Sequence, residues 1–144
     1  ATRRSQSAAT PPVQKEDFAG RRILLVEDNE INMEIARTLL EFRNASVDGA
    51  CNGQQAVEMF RSSPQNHYDA VLMDVRMPVM DGIAATQAIR GLDRADAATV
   101  PILAMTANAF AEDIERSRKA GMNEHLAKPI EPETLYARLA SYFR

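Results

Sequence analysis

Five times along this chain a short apolar run ends in a polar or charged residue and gives way to a segment of helical period. Ile23-Leu24-Leu25-Val26 stops at Glu27-Asp28-Asn29, and Ala70-Val71-Leu72-Met73 stops at Asp74. The run 100–105 stops at Thr106, 124–127 stops at Lys128-Pro129, and a weaker run at 45–50 centres on Val47. Between them Ile31, Ile35, Leu39 and Phe42 recur near the 3.6-residue period, and 54–60, 83–89 and 109–120 also read as helices. Pro78 and Asp81-Gly82 make the turn before the third helix, and Gly121 stops the fourth. A last helix begins near Glu131 with Leu135, Leu139 and Tyr142 on one face. Continuous apolar strands alternating with helices require a parallel sheet covered on both faces, joined by right-handed crossovers. The expected architecture is one doubly wound α/β domain over residues 21–144.

Residues 1–20 lack periodicity, mix Ser, Thr, Gln and Ala with Pro11-Pro12, and read as a linker or tail. The chain starts on Ala1 rather than methionine, as expected of a piece of something longer. No apolar run is long enough to cross a bilayer and no signal-peptide core is present, so direct membrane contact from this segment is not expected. One cysteine, Cys51, excludes an internal disulfide and a cysteine-built metal site and reads as a small core or rim residue. A net charge of −3 leaves no basic footprint for nucleic acid.

In an open parallel sheet, ligands bind beyond the carboxyl ends of the strands. Glu27, Asp28, Asp74, Thr106 and Lys128 all stand at such ends. Each alone has a plainer role, as a helix cap, a turn former or a solvated charge; together they converge on one edge. Two carboxylates about 4 Å apart repel by roughly 4 kcal/mol at an effective dielectric near 20. Three in one pocket call for a cation, and oxygen-only donors favour Mg²⁺, with Mn²⁺ as a substitute. A divalent ion beside a nucleophilic carboxylate suits phosphoryl transfer, with an ammonium and a hydroxyl to meet the phosphoryl oxygens.

The stretches ILLVEDNEIN, VLMDVRMPVMDG, PILAMTA and HLAKPI, in this order and spacing, resemble the receiver domains of two-component signalling. The resemblance implies a flavodoxin-like (βα)5 fold with a five-stranded parallel sheet in the order 2-1-3-4-5. It makes Asp74 the phosphoacceptor, with Asp28, Asp74 and the backbone carbonyl of Arg76 as Mg²⁺ ligands and Glu27 acting through water. Thr106 and Lys128 would meet the phosphoryl group, and the peptide before Pro129 would be cis. Ile31, Asn32, Ile35 and Pro129 would form the docking face for a histidine kinase phosphotransfer helix or a histidine phosphotransfer domain. His125 stands where the family usually carries the Tyr or Phe that turns inward when Thr106 moves, which raises a pH-dependent switch. Arg76, two residues after Asp74, is positioned to limit access of the hydrolytic water.

EDNEINMEIARTLLE and GMNEHLAKPIEPETL look most like receivers fused to hybrid sensor histidine kinases. The expectation is therefore a cytoplasmic, monomeric domain that catalyses its own phosphorylation and dephosphorylation, within a parent anchored to a membrane elsewhere. A response regulator stripped of its output domain and a non-phosphorylated pseudo-receiver are the alternatives. An aspartyl phosphatase or mutase is disfavoured, because Arg76 replaces the acid that such enzymes place two residues after the nucleophile. Flavin binding is disfavoured by the lack of a Ser/Thr/Gly-rich loop after the first strand.

Overall fold

The computed structural model describes residues 17–77, 79–107 and 111–143, with the side chains of 111–113 left out of the description. Five parallel strands, β1 (Arg22–Val26), β2 (Ser46–Ala50), β3 (Ala70–Asp74), β4 (Ile102–Thr106) and β5 (Glu124–Ala127), form one sheet in the order β2-β1-β3-β4-β5. Register follows from the pairs Leu24 with Val71, Leu72 with Leu103 and Ala104 with His125. The helices are α1 (Glu30–Phe42), α2 (Gly53–Ser62), α3 (Gly82–Arg90), α4 (Ala95–Thr99), α5 (Ala111–Ala120) and α6 (Pro132–Tyr142).

The central strands β1, β3 and β4 look apolar because each serves two cores. Leu24, Val26, Val71, Met73, Ile102 and Ala104 face one side, against Phe60 of α2 and Ile83 and Ile89 of α3. The alternate residues Ile23, Leu25, Leu72, Leu103 and Met105 face the other, against Leu40 of α1 and Leu135 and Leu139 of α6. Each fully buried Leu or Ile removes apolar surface worth about 1.5–3 kcal/mol from water, so the central strands hold their register firmly. That fixed register carries the strand-end polar residues to a common edge.

The loops at that edge are short because helices start promptly. Asn29, Asn52 and Asp81 each accept a backbone N–H three residues on, from Asn32, Gln55 and Ala84 at 2.8–2.9 Å. The loop between β3 and α3 is pinned at two points: Gly82 N–H donates to Val75 O at 2.9 Å, and Gly53 N–H donates to Met80 O at 3.0 Å. A side chain at Gly82 would collide with the Asp74 carbonyl, and one at Gly53 with the Met80 carbonyl, so both glycines are required by close backbone approach. Between these pins Val79 takes a left-handed backbone, φ +71°. Asn44 and Asn66 share that region, but asparagine tolerates it. For a β-branched residue the conformation is strained, at a cost of order 1–3 kcal/mol.

Several boundaries differ from the sequence reading by one or two residues. The weak strand starts at Ser46, the second helix runs on to Ser62, and the fourth strand begins at Ile102, after Pro101. Pro78 and the start of the 109–120 helix lie outside the described residues, as does residues 1–16 of the expected linker. The folded body takes in part of what composition assigned to that linker. Phe18 is 2% exposed, with its ring edge-on to Tyr136 and Phe143 at centroid distances of 6.1 and 5.3 Å. Its N–H donates to Arg43 O at 2.7 Å, and Arg21 donates to Phe143 O. Cys51 is exposed, so of its two expected places it takes the rim.

The short helix α4 has no counterpart in the sequence reading. It follows Arg94, whose guanidinium donates to the carbonyls of Phe60, Ser63 and Pro64 at 2.8–2.9 Å and pairs with buried Asp96 at 2.7 Å. Asp96 also accepts from Asn66 N–H at 2.8 Å. The Arg94 guanidinium holds the Asp96 carboxyl below its usual range. Among the described residues no helix is long and apolar enough to cross a membrane.

Candidate functional site

The carboxyl edge of β1, β3 and β5 brings together Glu27, Asp28, Asp74 and Lys128. One carboxylate oxygen from each of Glu27, Asp28 and Asp74 lies within 4.8 Å of the others. Glu27 and Asp74 are buried and Asp28 is exposed, so the cluster opens to solvent on one side. The Lys128 ammonium is 3.0 Å from Glu27 Oε1 and 3.0 Å from Asp74 Oδ2, bridging the two buried acids. Asp74 Oδ1 accepts from Arg76 N–H at 3.3 Å, and Glu27 Oε2 accepts from Asn29 N–H at 3.2 Å. The Arg76 side chain is exposed.

Electrostatics follow from this packing. Burial pushes the Glu27 carboxyl up, helped by the nearby Asp74 charge and opposed by its hydrogen bond from Lys128. Burial alone would lower Lys128, but its bonds to Glu27 and Asp74 outweigh that and hold the ammonium above its usual range. Lys128 bridges two of the three carboxylates, and an all-oxygen donor set of three clustered acids fits a hard divalent ion. A side chain beside Asp74 that keeps its ammonium charged is also suited to an incoming anion.

Thr106 ends β4, buried, and its carbonyl accepts from Lys128 N–H at 2.9 Å, which fixes the spacing of the two strand ends. The Lys128–Pro129 peptide is cis. His125 lies in β5 opposite Ala104, half-buried, with its Nε2 buried and lacking a hydrogen-bond partner. Burial depresses its pKa, as does the Arg118 charge on α5, while Glu124 raises it.

Ile31 and Ile35 stand outward on α1, 71% and 51% exposed. A groove of about 320 Å³ runs from Ile35, Asn32 and Ala36 across Glu27 and Lys128 to Pro129. Met105 and Ile130 complete its floor and wall. Sequence reasoning missed these last two and Ala36 as lining residues. The apolar residue directly after Lys128-Pro129 was a usable signal for Ile130, but nothing local marks Met105, which faces the α1 and α6 side of the sheet from β4.

Comparison with known proteins agrees with this arrangement. The model of the response regulator receiver domain matches residues 23–140. The chain is 38% identical over 131 residues to the signal transduction histidine-protein kinase BarA of Escherichia coli, covering 91% of this chain and 14% of that protein. Across the first curated relatives the chain spans between 7% and 17% of their length. Among solved structures it is similar to the receiver domain of the sensor histidine kinase PA1611 from Pseudomonas aeruginosa, which holds a magnesium ion in its active-site cleft. The TM-score there is 0.78 at 41% identity, covering 86% of this chain and 98% of that one. It is also similar to a chain of the Saccharomyces cerevisiae complex between the histidine phosphotransfer protein Ypd1 and the receiver domain of the response regulator Ssk1. That match has a TM-score of 0.77 at 30% identity and covers 88% of this chain and 91% of that one. With a sheet in the order 2-1-3-4-5, an acidic cluster and a lysine at its carboxyl edge, and a family match over nearly the whole folded body, the chain belongs to the response regulator receiver domains and is a receiver of a two-component phosphorelay.

Proposed function

We propose that Asp74 accepts the phosphoryl group and that Glu27, Asp28, Thr106, Lys128 and the Arg76 backbone serve that transfer. The observation that carries this reading is the Lys128 ammonium, 3.0 Å from Asp74 and held between it and Glu27 at the mouth of the acidic cluster. In the step itself the bond from phosphorus to the donor imidazole nitrogen breaks, a bond to an Asp74 carboxylate oxygen forms, and the imidazole, carrying a proton on its other ring nitrogen before transfer, leaves as the neutral ring. Lys128 shifts its ion pair from Asp74 toward the new phosphoryl oxygens, which keeps its charge compensated. The Thr106 hydroxyl donates to another of those oxygens. Asp28, Asp74 and the Arg76 carbonyl, with Glu27 acting through a water, would hold a Mg²⁺ ion, whose charge would offset that of the transferring group; Mn²⁺ would suit the same donors.

Ile31, Asn32, Ile35 and Pro129 dock the histidine-bearing helix of a kinase or phosphotransfer domain, since Asn32, Ile35 and Pro129 wall the groove that leads to Lys128 and Ile31 stands exposed on the same helix as Asn32. The likeness to BarA supports a hybrid histidine kinase as parent, with this domain on its cytoplasmic side and any membrane anchor elsewhere. Intact-mass analysis after incubation with acetyl phosphate tests the acceptor. A gain of one phosphoryl group that requires Mg²⁺ and is absent in Asp74→Ala is expected; gain in that variant would assign the chemistry to another residue.

A further inference from the structure

Among the described residues, three of the large apolar side chains that stand strongly exposed lie on α1: Ile31, Ile35 and Phe42. With exposed Thr38 they recur at steps of four, three and four residues, which places them in one stripe along the outward side of the helix. The stripe is about 16 Å long at a rise of about 1.5 Å per residue. Its end away from the acidic cluster is Phe42, 73% exposed. An exposed glutamate precedes each apolar member: Glu30, Glu34 and Glu41. The stripe therefore has an acidic flank, where Arg37 meets Glu41 at 3.8 Å. Single exposed apolar side chains are ordinary, but a continuous stripe with a charged flank marks a contact surface.

The chain itself arrives at the Phe42 end. Asp17 Oδ1 accepts from Asn44 Nδ2 at 3.0 Å, and Phe18 N–H donates to Arg43 O at 2.7 Å. The segment ahead of Asp17 is therefore tethered beside the last turn of α1. Its charged side chains are Arg3, Arg4, Lys15 and Glu16, a basic excess opposite in sign to the flank of α1. Val13 is its apolar residue nearest the tether, within an extended reach of about 13 Å. Five further extended residues span about 17 Å, the length of the stripe. Small Ala8 and Ala9 fall within that span, and Arg3 and Arg4 beyond it. The tether makes the encounter intramolecular, so a weak contact suffices. A second copy of α1 fits less well, because an antiparallel pair would set the glutamate flank against itself.

We propose that residues 3–16, which lie outside the described residues, fold back along α1 as an intramolecular strap, with Val13 against Phe42 and Arg3 and Arg4 at the Glu30 and Glu34 end. Ile31 and Ile35 also belong to the docking side proposed above. On that reading strap and donor helix exclude each other, and the segment ahead of the folded body shields its docking side.

The chain has no tryptophan, so Phe42→Trp places a single emitter at the end of the stripe. In the full chain its emission is expected at short wavelength, with weak quenching by acrylamide. Adding Val13→Asp should shift the emission to that of solvated indole and strengthen the quenching; Arg3→Glu with Arg4→Glu should do so part of the way. An indole already solvated in the otherwise unaltered chain overturns the proposal. So does a covered indole that neither set of changes exposes, and emission that depends on protein concentration would then assign the cover to a second copy. Nuclear Overhauser contacts between the Val13 methyls and the Phe42 ring, expected in the unaltered chain, give a second reading free of any substitution, and their absence overturns the strap. None of these readouts uses Asp74 or a phosphodonor, so their failure leaves the phosphoacceptor reading untouched.

Discussion

At Lys128 two opposing effects meet, and geometry decides between them. Burial disfavours its charge, yet two carboxylates at 3.0 Å keep the ammonium above its usual range. His125 shows the reverse balance, because its Nε2 is buried without a partner and Arg118 repels its charged form. The folded state therefore prefers the neutral imidazole. Its folded pKa lies below the ordinary value of 6.5, so the unfolded chain binds the proton more readily, and stability falls as pH drops through 6.5. Lowering pH from 7.5 to 5.5 is expected to lower the melting temperature more for the unaltered chain than for His125→Phe. If the imidazole also stands in for the aromatic switch, its NMR titration midpoint moves when beryllofluoride is added with Mg²⁺; an unmoved midpoint removes the switch role. Residue identity made the strand-end acids, Thr106 and Lys128 legible in sequence, because chemistry-bearing side chains at run ends have few structural uses in common. Val79 was not legible, since the sign of its φ is set by two glycine contacts made by backbone on either side of it.

Elements divide along the same line. β1, β3 and β4 were readable because both faces of each strand are buried, which leaves an unbroken apolar run. The edge strand β2 is half-exposed and reads weakly, and α4 has no periodic signal at all. α4 exists where Arg94 gathers the carbonyl end of α2, a contact made some thirty residues apart in sequence. Phe18 was hidden for the same reason: its partners Tyr136 and Phe143 lie at the other end of the chain. That contact makes residues 17–21 an extra piece of the α6 packing. Phe18→Ala is expected to cost about 3–5 kcal/mol in urea unfolding, the usual price of a buried Phe truncation. A loss below about 1 kcal/mol would return these residues to the linker.

For the whole molecule, the three clustered carboxylates are like charges held close together by two cores. Any cation that binds them in the folded state alone stabilises the fold, by about 2.7 kcal/mol at a hundredfold excess over Kd. Millimolar Mg²⁺ should therefore raise the melting temperature, and Asp28→Asn should abolish most of that rise while remaining folded, because Asp28 is exposed. An equal rise in Asp28→Asn would point to nonspecific screening. The rings of Phe18 and Phe143 meet 5.3 Å apart beside the start of β1, at the edge of the sheet opposite the acidic cleft. The two ends of the described fold are thus neighbours at one pole, while the acidic cluster lies at the other. A domain wired this way behaves as a cassette: it can be spliced into a longer polypeptide, or circularly permuted through a short bridge across that pole, without any neighbour being threaded past the cleft.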